Sequence, residues 1–261
     1  MKRRIHNSEL GSFLQKWTDN IKEIIPNKLM GIYIFGSVIL DDFQKGISDI
    51  DFLVVTKKSI NKKEQQALKK MHTMLIKESL YAKQLEGEYA EQKAISVSGI
   101  KGKVTRCNYD KVILNTKSET TPCILFYIQK AGINLYGPPA KEIIPVLSKS
   151  EVQKAMFDYI NKKIPKAANQ AKIKQEDPKL ISSDLLNMCR GLYAIKENKP
   201  ISKTKVGKWA LLNLDKKWQP LIKSALLVRH QKATNKDIEL LKKQSLNFFN
   251  YIRQEAKSLL I

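Results

Sequence analysis

A chain of 261 residues is long enough for one large or two modest domains, each with its own core, and its 43% apolar and 28% charged content excludes a disordered or fibrous protein. No stretch approaches the roughly 20 apolar residues of a membrane span. The 47 Lys and Arg against 25 Asp and Glu, a net +22, give a field that draws polyanions, yet the lysines are scattered (Lys57, Lys58, Lys62, Lys63, Lys69, Lys70; Lys162, Lys163, Lys166, Lys172, Lys174), which reads as a solvated surface rather than a dedicated nucleic-acid face.

The start, MKRRIHNSEL, is basic without the apolar core of a signal peptide behind it. Asn7 or Ser8 caps a first helix whose apolar positions Leu10, Phe13, Leu14, Trp17, Ile21 and Ile24 form a packing face ended by Pro26, with Trp17 in the core. Next comes GIYIFGSVILDDFQKGISDIDFLVVT over 31–56: an apolar strand, Gly36-Ser37, a short polar connection, then Asp49-Ile50-Asp51 opening a second strand. Side chains at i and i+2 share a face, so Asp49 and Asp51 project together. Two adjacent carboxylates repel unless a cation sits between them, and a hard divalent ion, Mg²⁺ first, suits carboxylate oxygens. Gly36 lets the backbone approach a ligand, and Ser37 adds a hydroxyl and an N–H for a phosphate oxygen, with Ser48 grouped beside them.

A helix is expected from about Asn61 to Tyr81, with Leu68, Met71, Leu75 and Leu80 on one side and His72 as surface or core filler. AKQLEGEYAEQKAI is a strand candidate carrying Glu86 and Glu88 on one face. A carboxylate near two metal-bound aspartates is placed to act as a general base, and spacing alone does not choose between the two. Residues 96–121 read as a loop that closes over substrate. Pro122–Gln129 reads as a buried helix start, and the Gly137-Pro138-Pro139 turn ends the first half.

The second half is helical. Ser148-x-x-Glu151 is a capping box, and further helices run from about Ser183 to Lys196, through Trp209 and Leu212, through Trp218 to Leu226, and from Asn235 to the end. The expected architecture is α+β: a domain over 1–146 with a mixed sheet and helices, then a helical bundle over 147–261. Cys107, Cys123 and Cys189 lack metal or disulfide spacing, which points to the reducing cytoplasm.

The Gly-Ser and Asp-x-Asp pair resembles the signature of the polymerase-β-like nucleotidyltransferase superfamily. That resemblance implies that Ser37 contacts a triphosphate and that Asp49 and Asp51 hold Mg²⁺ against it. With QLEGEY, IQKAGINLYGPPAKEI, LLNMCRGLYAIKENKPISKTKVGKWAL and YIRQEA following in order, the chain from about residue 28 resembles the bacterial aminoglycoside O-adenylyltransferases that act on streptomycin and spectinomycin. The resemblance implies ATP and drug bound between the two domains, Glu86 of the L-E-x-x-Y strand as catalytic base, and Lys223 and Tyr251 of the bundle on ATP. It implies a small-molecule partner rather than nucleic acid or membrane, and a monomer is expected.

Some positions depart from the family. Leu192 stands where dual-specificity members present a tryptophan to streptomycin, although Glu197 offers an acidic group nearby. Residues 96–121 lack a tryptophan, and Thr120-Thr121 replaces an Asp-Leu pair. The departures favour spectinomycin over streptomycin. The alternatives are transfer to an RNA or protein hydroxyl, which the charge favours, and a non-catalytic nucleotide sensor.

Overall fold

The computed structural model describes residues 8–109, 111–163, 173 and 175–260, and the chain divides into two compact units, Met1–Leu147 and Ser148–Ile261. Asn7, the alternative cap of the first helix, lies outside the described residues, as do Lys166, Lys172 and Lys174.

The first unit is built on a six-stranded sheet in the order β7-β6-β3-β2-β1-β8. Its strands are β1 (Leu29–Phe35), β2 (Ile50–Thr56), β3 (Leu85–Glu91), β6 (Lys103–Asn108), β7 (Lys111–Lys117) and β8 (Ile133–Tyr136), while β4 (Ile95–Ser96) and β5 (Gly99–Ile100) form a separate short hairpin. Only β2 and β3 pair in parallel, joined through α2 (Lys62–Glu78); the other neighbours are antiparallel. Parallel neighbours need such a crossover, because a tight turn returns the chain antiparallel.

Alternation along the strands builds the core. Ile32, Ile34, Ile50, Phe52, Val54, Leu85, Tyr89 and Cys107 pack with Leu10, Phe13, Leu14, Trp17 and Ile21 of α1 (Ser8–Ile24) and Leu68, Met71 and Leu75 of α2. Asn61 and Glu64 close a capping box at the start of α2. His72 lies in this core, fully buried, its Nε2 2.7 Å from the Tyr89 hydroxyl and its Nδ1 3.4 Å from Cys107 Sγ. Burial pushes its pKa down to about 4. Gly87 is required beside this cluster, since a Cβ there would meet the Phe52 carbonyl oxygen at 2.1 Å.

Residues 96–121 differ from the expected loop. β6 and β7 pair antiparallel and extend the main sheet, with β7 at its edge. Lys103 at the start of β6 and Lys111 and Lys117 at the two ends of β7 give an edge hairpin the polarity of a loop while keeping it from pairing with another chain. Beyond it, α3 (Pro122–Ala131) buries Leu125, Phe126 and Ile128.

In the second unit, Ser148 and Glu151 cap α4 (Lys149–Lys163) as the box predicts, with Ser148 N–H donating to Glu151 Oε2 at 2.7 Å. The next helix, α5 (Pro178–Glu197), starts five residues earlier than its apolar pattern, at an Asp177 cap followed by proline. It packs against α4, α6 (Lys203–Asn213), α7 (Gln219–Arg229) and α8 (Asn235–Ser258) and so forms the centre of the bundle. Among the described residues no helix is long and apolar enough to cross a membrane. The fold is α+β.

Candidate active site

The face of the sheet opposite α1 and α2 carries the carboxylates. Asp51 on β2 lies directly beside Glu86 on β3, and Glu86 lies opposite Asn108 on β6. Asp51 also pairs with Phe35, the last residue of β1, so the turn at Gly36-Ser37 comes down beside it. Gly36 adopts φ +73°, and a Cβ on it would fall 1.9 Å from Asp51 Oδ2. The glycine therefore supplies both a left-handed backbone and the space that the Asp51 carboxylate fills.

Ser37 Oγ donates to the Asp49 carbonyl at 3.0 Å and so ties the turn to the residue that opens β2. The Ser48 hydroxyl accepts from the Gln44 N–H at 3.0 Å, which commits it to shaping the 42–48 connection. Gln84 reinforces that connection, its Oε1 accepting from the Gly46 N–H at 3.0 Å and its Nε2 donating to the Ser48 carbonyl.

Tyr109 was not singled out by the sequence. It turns the β6–β7 hairpin with φ +55°, its N–H donates to the Leu85 carbonyl at 3.0 Å, and its hydroxyl donates to Asp49. Burial, then the charges of Asp49, Glu86 and Asp51, push its pKa well above the usual phenol value, so the three carboxylates converge around one hydroxyl. The missed signal was a turn, Asn-Tyr-Asp, between two runs containing β-branched residues, Val104-Thr105 and Val112-Ile113.

Glu86 and Glu88 share a face but not an environment. Glu88 is 3% exposed and accepts from Ser118 Oγ at 2.5 Å, the Glu119 N–H at 2.6 Å and Thr120 Oγ1 at 2.8 Å. It anchors the chain entering α3. Thr120, standing where the resemblance places an aspartate, supplies a donor where a second carboxylate would repel Glu88. Glu86 is part-exposed, in the row with Asp51.

Among the described residues no three His, Cys, Asp or Glu side chains are grouped so as to hold a metal ion by themselves. Asp49 and Asp51 nevertheless fit Mg²⁺, which keeps several waters and is commonly held by one or two carboxylates plus substrate phosphate oxygens rather than by a protein cage. The glycine turn, against which the Asp51 carboxylate can stand, suits such a partial donor set.

The remaining predicted residues belong to the second unit. Lys223 is exposed on α7 and Glu197 is exposed at the end of α5. Tyr251 on α8 is half-buried; its hydroxyl accepts from the Asp215 N–H at 3.3 Å, and its ring lies 5.6 Å from that of Trp218. Leu192 is fully buried in the bundle core, while its neighbour Tyr193 meets Trp209 edge-on at 5.4 Å.

Comparison with known proteins agrees with this layout. A family model described as "Nucleotidyltransferase domain" matches residues 16–107, and one described as "Aminoglycoside adenylyltransferase, C-terminal domain" matches 148–255. A spectinomycin 9-adenylyltransferase of Campylobacter jejuni is 22% identical over 254 residues, 91% of this chain and 92% of that protein. The crystal structure of a spectinomycin adenyltransferase from Enterococcus faecialis with ATP and spectinomycin superposes with a TM-score of 0.63 at 16% identity, over 94% of this chain and 98% of that one. With both halves matched in order, the chain belongs to the aminoglycoside adenylyltransferase family of the nucleotidyltransferase superfamily and is an enzyme of that kind.

Proposed function

We infer that the protein transfers AMP from ATP to a hydroxyl of an aminocyclitol or aminoglycoside antibiotic, with Mg²⁺, and prefers spectinomycin to streptomycin. The observation that carries this reading is the row formed by Asp51 and Glu86, with Asp49 and the Gly36 turn beside it. Both similar proteins named above are spectinomycin adenylyltransferases, one with ATP and spectinomycin bound.

Asp49 and Asp51 hold Mg²⁺, which when bound offsets the charge of the triphosphate. Ser37 and the Gly36 backbone orient the phosphates. Glu86 takes the proton of the acceptor hydroxyl; that oxygen forms a bond to the α-phosphorus, the bond from the α-phosphorus to the bridging oxygen breaks, and pyrophosphate leaves. ATP binding is assigned to Lys223 and Tyr251, and recognition of the cationic drug to Glu197, as the family resemblance implies. Leu192 supports the spectinomycin preference: a leucine buried in the bundle core offers no aromatic plane where the resemblance places a tryptophan. Cys107, Cys123 and Cys189 form no disulfide, which suits the cytoplasm.

Pyrophosphate release from ATP and Mg²⁺ with spectinomycin and, separately, with streptomycin tests the reading. Release with spectinomycin alone is expected. The +22 charge favours a second reading, an RNA acceptor; silence with both drugs together with salt-sensitive RNA binding would establish it instead.

A further inference from the structure

Asn108 is the third member of the row that begins with Asp51 and Glu86. Directly opposed residues of antiparallel strands share a face, so its side chain projects beside that of Glu86. Neighbouring strands lie about 4.8 Å apart, which leaves Asn108 about 10 Å across the sheet from Asp51, beyond metal contact but adjacent to the base. Its side-chain oxygen is buried and accepts no hydrogen bond among the described residues. A buried acceptor left unmet is costly, and native proteins rarely keep one without a use. Tyr109, which follows it, is pinned by its N–H to Leu85, so the end of β6 is held in place.

An amide oxygen accepts hydrogen bonds. ATP phosphates bring only acceptors, so they leave it unmet. An acceptor molecule that carries an amino group beside the hydroxyl under attack brings the missing donor, and it must already sit within hydrogen-bond reach of Glu86. We propose that Asn108 is an acceptor-binding residue: its side-chain oxygen takes a hydrogen bond from an N–H, an ammonium by preference, next to the hydroxyl that Glu86 deprotonates. The inference rests on the reading above and adds to it a residue that helps to select the acceptor.

The test is steady-state kinetics with spectinomycin and ATP on the wild type, Asn108→Leu and Asn108→Asp. The leucine variant removes the acceptor at similar volume and is expected to raise KM for spectinomycin about tenfold or more, as loss of a hydrogen bond to a charged group does, while KM for ATP and the melting temperature hold. The aspartate variant keeps an oxygen there and is expected to stay within about threefold of wild type in KM for the drug. Where the leucine variant fails to melt like wild type, Asn108→Ala repeats the measurement. An unchanged KM for spectinomycin, or a loss confined to kcat, overturns the inference alone. Absence of turnover by the wild type overturns both the inference and the functional reading beneath it.

Discussion

Gly36 and Asp51 occupy one space: the position of a Cβ on the glycine lies 1.9 Å from the aspartate's Oδ2. The carboxylate can stand against the turn only because that side chain is absent, and the turn needs φ +73° as well. Gly36→Ala is therefore expected to push Asp51 out of place, at a local strain of about 1–2 kcal/mol. Transfer should fall at least about 100-fold, as misplacement of reacting groups by an ångström does. Melting curves beside initial rates check this; an active, normally melting variant would show that Asp51 is free to move.

The two glutamates of β3 should separate cleanly. Glu86→Gln is expected to lower kcat by about 10²–10⁴-fold, the usual contribution of a general base, while ATP binding persists. Glu88→Ala leaves the donors of Ser118, Glu119 and Thr120 without their acceptor. It should cost about 3 kcal/mol of stability and leave the rate per folded molecule near wild type. Denaturant titration and active-site-normalised rates distinguish the two.

His72 makes stability depend on pH. Its folded pKa is pushed from 6.5 down to about 4 by burial, so between those values the unfolded chain binds a proton that the native core refuses. Stability is full above about pH 6.5 and declines as pH falls towards 4, by about 3 kcal/mol across the window. His72→Gln keeps a partner for the Tyr89 hydroxyl and does not titrate, so its unfolding free energy should be flat from pH 6.5 to 5. Carboxylates such as Glu64, held below their ordinary 4.5 by the Lys28 hydrogen bond against the opposing effect of burial, lose their contributions only below that range.

The Tyr109 hydroxyl donates to Asp49, one of the two proposed Mg²⁺ ligands. Tyr109→Phe removes a donor that competes for that carboxylate, and the Mg²⁺ concentration giving half-maximal rate is expected to fall about three- to tenfold, within the worth of a hydrogen bond to a charged group. A magnesium titration of the rate reads this directly.

The legible parts of the sequence were those in which one local pattern carries the information. The alternation of GIYIF and DIDFLVV set both strands, and the i, i+2 spacing set the face shared by Asp49 and Asp51. Periodicity and capping boxes located α2 and α4. What stayed hidden depends on pairing between distant segments. Whether Glu86 or Glu88 meets solvent is decided by Ser118 and Thr120, some thirty residues on. The register that sets Asn108 against Glu86 requires β6, whose lysine-flanked edge hairpin reads as a loop. His72 is core filler as its sequence setting allows, but its partners Tyr89 and Cys107 stayed hidden because they come from two other strands.

The central claim is transfer of AMP to spectinomycin with Glu86 as base. Mass spectrometry of the drug after incubation with ATP, Mg²⁺ and either wild type or Glu86→Gln tests it most directly. The account predicts spectinomycin heavier by one AMP with wild type, unmodified drug with Glu86→Gln, and unmodified streptomycin with both. Unmodified spectinomycin with a wild type that binds ATP, or full modification by Glu86→Gln, would contradict it.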